Sequence, residues 1–180
     1  MKITKIKFKD GRVELEYNVD IKIKNVEGFE TQTNELALKS TEKPAPEFDA
    51  ALQALAEDVC EILELPEDYI NGITVTGVSF SYSSGVMGAV ITAKKTLKDS
   101  NSPFNLNTPF KPSKVYNEGA PEDNLLSSDT VAKLEYLMTQ AEYYIEGRRA
   151  QIRLEEVLKE ADEVLVTKDP SIFDNVKESA

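Results

Sequence analysis

Between Arg12 and Ile23 the sequence alternates without a break. Val13, Leu15, Tyr17, Val19, Ile21 and Ile23 share one parity, and Arg12, Glu14, Glu16, Asn18, Asp20 and Lys22 share the other. Successive side chains of a strand point to opposite faces, so this stretch reads as a long strand with one face on a core and the other in water. Just before it, Thr4, Ile6 and Phe8 alternate with Lys5, Lys7 and Lys9, and Asp10-Gly11 supplies a hairpin turn. The sheet is therefore expected to be antiparallel from its first turn. The lysine row reads as a solvated face paired across the strands with Glu14 and Glu16, in preference to a phosphate-contacting stripe.

The following elements are legible in the same way. Phe29 to Lys39 is expected as another strand, with Leu36 and Leu38 inward. Pro46 is placed to open a helix running to about Leu65, on which Phe48, Leu52, Leu55, Val59, Ile62 and Leu63 form an apolar stripe. Ile73–Tyr82 and Val86–Leu97 form a second hairpin around a glycine-containing turn, with both faces partly apolar. Ser127 or Ser128 caps a last helix with a stripe from Val131 to Ile145; it either stops near Gly147 or continues toward Leu165. The expected class is α+β: an antiparallel sheet of two β-hairpins, one packed helix, and a long or broken C-terminal helix. Residues 1–151 make up the domain, with a flexible arm at 99–124, and residues 152–180 a helical extension and polar tail.

Composition narrows the chemistry. Histidine is absent and Cys60 is the one cysteine, which excludes histidine triads, imidazole metal sites and Cys-rich zinc sites. A lone cysteine fits a reducing cytoplasm, and the alternating N-terminus is unlike a signal peptide or a membrane span. Net charge is −11 and uneven: residues 1–115 carry 14 basic and 17 acidic residues, and 116–180 carry 7 and 15. Broad binding to duplex DNA is disfavoured by that balance.

Other motifs have plain readings. Ser83-Ser84-Gly85-Val86-Met87-Gly88 has glycines and hydroxyls but joins two strands, whereas phosphate loops open a helix; it reads as a hairpin turn. Glu155, Glu156, Glu160, Asp162 and Glu163 read as a solvated helix face interleaved with Arg153 and Lys159. No catalytic residue, metal ligand or cofactor is assigned. The richest stretch is 80–116, where basic and aromatic residues mix as they do in single-strand binding sites. Lys94, Lys95, Lys98 and Lys111 are the expected phosphate contacts, and Phe80, Tyr82, Phe104 and Phe110 the expected stacking rings.

In the blocks GVSFSY, GVMGAVITA, SNSPFNLNTPFKP and GRRAQ the chain resembles a family of small uncharacterised proteins encoded by bacteriophages and prophages, a similarity that covers about residues 1–151. The resemblance implies a phage setting and a site of action in the cytoplasm of the bacterial host. It transfers no catalytic residue. The expectation is a non-enzymatic phage accessory protein in DNA metabolism that binds single-stranded nucleic acid. The alternatives are an acidic inhibitor or adaptor that holds a host protein through Phe104, Phe110 and Tyr116, and a structural protein that self-assembles through 129–165.

Overall fold

A computed structural model describes residues 1–25, 28–97, 102–115 and 124–150. Its sheet is wholly antiparallel. Strands β1 (Lys2–Lys9), β2 (Arg12–Asn25) and β3 (Gly28–Ser40) form a meander, and β4 (Ile73–Ser83) and β5 (Val86–Lys95) form a hairpin beside it. The order is β3-β2-β1-β4-β5-β6, with β6 (Phe104–Asn107) and the short β7 (Lys111–Pro112) both along β5. The turns form where glycine was expected: Asp10-Gly11 and Ser84-Gly85 both take positive φ, which matches the twist of a two-residue hairpin loop.

One face of the sheet is covered by helices. α1 (Pro46–Gln53) and α2 (Ala56–Ile62) replace the single helix expected over 46–65. Between them the Leu55 amide bonds to Leu52 O at 3.3 Å, a tightening of the 3₁₀ kind that bends the axis while Leu52 and Leu55 stay fully buried. α3 (Ser128–Ile145) begins where the cap was read: Ser127 Oγ accepts the Thr130 amide at 3.0 Å. It stops before Gly147, whose φ of 103° favours glycine. The continuation read toward Leu165 lies outside the described residues.

The core lies between sheet and helices. Ile3, Ile6, Val13, Leu15, Val78 and Ile91 meet Phe48, Leu52, Leu55, Val59, Leu134, Leu137 and Tyr144. Cys60 is buried among them, and burial pushes its thiol pKa up, as for an unreactive core residue. Tyr144 packs at a tilt against Phe48 and donates to Glu42 O at 2.7 Å, while Arg149 lies over the Tyr144 ring and bonds Glu42 Oε2 at 2.6 Å. Those contacts tie the end of α3 to the loop before α1.

Two sequence expectations are revised. Between Val75 and Gly77 the β4–β5 register slips, so Thr76 is an extra residue and Val75 shares the core face with Val78 and Phe80. Strict alternation through that point had spread apolar residues over both faces. The described part of the irregular arm is also a strand: Leu106 is buried opposite Ala93, and the Thr108 amide and Oγ1 bond Ile91 O and N. Pro109 interrupts that strand, which hides its periodicity. Leu38 is half-buried as expected, but Leu36 is 44% exposed.

α2 and α3 are joined by a buried carboxylate. Asp58 accepts from the Thr130 hydroxyl at 2.5 Å and from Lys133 Nζ at 3.0 Å, and Lys133 also meets Asp129 at 2.8 Å. Asp58→Ala leaves both donors without this partner, so unfolding free energy in urea should fall by about 2–4 kcal/mol. Burial works to lower the Lys133 pKa, but hydrogen bonds and charge from Asp129 and Asp58 outweigh it and raise it above the ordinary 10.5. Its contribution is therefore complete below 10.5 and lost as pH climbs through the raised value. In alkaline urea titrations, Lys133→Met should remove that loss.

Candidate nucleic-acid interface

No described element packs as a helix on the second face of the sheet, and the strand register determines which side chains stand there. β1 places Lys2, Lys5, Lys7 and Lys9 on it; β2 adds Arg12, Lys22 and Lys24, and β3 adds Lys39. β5 adds Lys94, so nine cations face Glu14, Glu16, Asp20 and Glu35, a net of about +5 on the rule that cross-strand partners share a face. The helices are opposite in sign. α1, α2 and α3 carry Glu47, Asp49, Glu57, Asp58, Glu61, Asp129, Glu135 and Glu142 against Lys133 as their one base. Charge is sorted by face.

Some of the cations are paired. Lys5 meets Glu16 at 2.9 Å and Lys7 meets Glu14 at 3.5 Å, and Glu16 raises the Lys5 pKa through its hydrogen bond and then its charge. Both pairs are partly exposed, where water weakens their hold and an incoming anion can compete. Arg12 and Lys94 have no ion pair among the described residues. Arg12, Lys7 and Lys9 line a hollow of about 380 Å³ with Asp10, Glu14 and Thr41.

A cleft of about 300 Å³ adjoins it, shared by Lys9 and Lys94 with Asp49, Gln53, Thr74, Thr76 and Thr96. Its cause is the slip in β4. β1 and β4 pair only through Lys5, Ile6 and Lys7, and beyond Gly77 the two strands part. The Gln53 side chain takes the place of a strand there: its Nε2 donates to Val75 O and its Oε1 accepts the Val75 amide, both at 3.1 Å. The seam is thus satisfied by a side chain and left open to solvent.

Phe110 stands at the other end of β5. Its ring lies where a Gly88 side chain would be, on the open face, and it remains 42% exposed. Six residues separate Gly88 from Lys94, or roughly 20 Å of strand. Ser79 and Ser81 form part of the low floor between them. The arrangement is an aromatic platform, a flat polar floor and a cationic corner.

Of the residues expected from sequence, Lys94 and Phe110 come together on this face. Phe80 is buried under the helices, and Tyr82 donates from its hydroxyl to Ile3 O at 2.9 Å, so neither ring has a face free for stacking. Burial also raises the Tyr82 pKa. Lys95 is on the helix side, bonding Tyr69 O at 2.8 Å and Asn71 O. Phe104 pairs with Lys95 and Lys111 with Ala89, which places both on the helix side too. Phe104 and Phe110 therefore sit on opposite faces and do not form one anchor. Lys98 and Tyr116 lie outside the described residues, as do the carboxylates at 155–163. Sequence reasoning set aside the row of Lys5, Lys7 and Lys9 and did not single out Lys2 or Arg12; the alternation of the three lysines with Ile6 and Phe8 was the available signal.

Compared with protein-family models, curated proteins and solved structures, the chain matches none. Among the described residues no three Cys, Asp or Glu side chains are grouped to hold a metal, and no helix is long and apolar enough to cross a membrane.

Gly88→Ala tests the platform. An added Cβ would occupy the space of the half-exposed Phe110 ring, which must swing aside, so the variant should lose about 1 kcal/mol of stability, the low end for overpacking. The companion Phe110→Ala in the Gly88→Ala background should recover much of that loss in urea unfolding.

Proposed function

We propose that this protein is a non-catalytic binder of single-stranded nucleic acid that works through the open face of its sheet. The observation that carries the reading is the net positive charge of that face in a chain of net charge −11. Phosphates would sit in the corner of Lys7, Lys9, Arg12 and Lys94, and a base would stack on Phe110. Single strands suit a flat sheet with an aromatic platform, because unpaired bases can be splayed onto it. The acidic helices on the opposite side disfavour approach of the backbone there, which opposes indiscriminate binding. The resemblance to phage-encoded proteins fits a role in phage DNA metabolism inside a bacterium.

Fluorescence anisotropy with labelled single- and double-stranded oligonucleotides, over a salt series, tests the proposal. Single strands should bind more tightly, and increasingly so as salt falls. Each phosphate contact contributes about 0.7 to the log–log salt slope for single strands, so Arg12→Ala with Lys94→Ala should lower it by about 1.4. Phe110→Ala should cost about 1–3 kcal/mol and leave the slope unchanged. Absence of binding at low salt, or binding indifferent to all three substitutions, would remove the reading. Phe104, 57% exposed on the opposite face, favours a second reading, an adaptor for a host protein. That reading expects a specific bacterial protein in pull-downs, lost with Phe104→Ala.

A further inference from the structure

The two edges of the sheet are built differently. β6 and β7 are four and two residues long, Pro109 stands between them, and Pro112 within β7 has no amide to donate. β3 has none of these devices. It runs thirteen residues without a proline, and its register with β2 is unbroken from Asn25↔Gly28 to Val13↔Ser40. A long, regular, uncovered edge is a template for another strand.

The register identifies the open groups. Lys9 and Arg12 close the Asp10-Gly11 turn as a hydrogen-bonded pair, so even residues of β2 turn their main-chain groups to β1 and odd ones turn theirs to β3. The partners on β3 are even-numbered. Residues 29, 31, 33, 35, 37 and 39 therefore direct N–H and C=O outward, and no described element pairs there.

β3 also carries an overhang. β1 pairs with β2 only as far as Asn18, so β2 beyond that point and the first half of β3 form a two-stranded ribbon. Such a ribbon is marginal in water without a third strand. It leaves Ile21 and Ile23 43% and 45% exposed on one side and Phe29 75% exposed on the other.

We propose that β3 pairs antiparallel with β3 of a second copy, in the register that sets Asn34 opposite Asn34 across a two-fold axis. Gly28 then faces Ser40 of the other copy, and the outward residues pair as 29 with 39, 31 with 37 and 33 with 35. Each pair occurs twice, giving about twelve main-chain hydrogen bonds. Phe29 lies beside Lys39 and Glu35 beside Thr33, with no like charges opposed; a shift that centres the axis on Glu35 would set it against itself. The overhanging half of each β3 lies along the anchored half of its mate and gains its third strand. A second copy is favoured over an unrelated strand because one axis closes two identical bare edges at once. Thirteen residues at about 3.4 Å, in a sheet about 10 Å thick, give a contact strip near 440 Å² per copy. The total of about 900 Å² is below that of stable complexes, so the dimer should dissociate in the micromolar range. The inference stands apart from nucleic-acid binding.

Sedimentation equilibrium of the full chain over a micromolar concentration series should give a monomer–dimer equilibrium. Ala37→Pro removes an outward N–H and leaves the β2 ladder intact, so it should weaken the dimer at least about tenfold with an unchanged circular-dichroism spectrum. In a Cys60→Ala background, Asn34→Cys should form an intermolecular disulfide on mild oxidation, since facing residues of that pair type lie about 4.5 Å apart. Thr31→Cys should not, because the two copies of that position are about 20 Å apart. A chain that stays monomeric at the highest concentration overturns the proposal. So does a dimer in which Asn34→Cys fails to cross-link or Thr31→Cys links equally well. If Ala37→Pro does not fold, the cysteine pair decides.

Discussion

The sheet is buried on one face only, and the rest of the structure depends on that. Helices α1 to α3 take the side where Ile3, Ile6, Leu15, Val78 and Ile91 point, and each of these is almost wholly buried. Burying a large aliphatic side chain contributes about 1.5–3 kcal/mol, so that parity is closed to polar residues. The other parity is free to carry charge. In β1 and β2 it carries lysine, arginine and glutamate, and the excess of cations gives the uncovered face its sign. The acidic helices sit on the far side, so folding itself separates the charges.

Covering one face also creates the local fault next to which the cationic corner lies. The extra residue at Thr76 lets Val75 join the core, but it breaks the β1–β4 ladder beyond Gly77. A Cβ at Gly77 would lie 2.6 Å from Ile6 O, so the close approach of the strands there requires glycine. The main-chain groups of Val75 would otherwise lack a partner, and an unpaired buried pair costs a few kcal/mol. Gln53 meets that need with its amide and is itself held by Asp49 at 3.2 Å. The opening between Lys9 and Lys94 is what remains of the lost ladder.

Locally encoded features were legible and long-range ones were not. Alternation in β2, the Asp10-Gly11 turn, the proline opening α1 and the serine capping α3 each depend on a few neighbouring residues. The direction of Phe80 and Tyr82 does not. It depends on a single inserted residue upstream, after which the parity inverts; a glycine inside a strand, here Gly77, marks a bulge or a close backbone approach but not which way the following side chains turn. Lys95 was indistinguishable from Lys94 for the same reason: adjacent residues of a strand face opposite ways, and only the core shows which way is in. The cationic face was hidden because it joins residues 2–12 with residue 94 through a strand order that no local pattern reveals.

The separation of charge also bears on how two acidic chains can meet. Their helix layers repel, and repulsion between exposed charges is screened beyond about 10 Å at 0.1 M salt. An edge-to-edge approach along β3 keeps the helix layers side by side instead of opposed, with strands already carrying mixed charge at the contact. A two-fold axis normal to the sheet preserves its faces, so both cationic faces would look the same way. The join would therefore leave Lys94 and Phe110, at the far margin of each copy, as accessible as in one copy alone. Pairing through β3 and binding on the open face place no conflicting demands on any residue, because one uses main-chain groups at an edge and the other uses side chains of one parity.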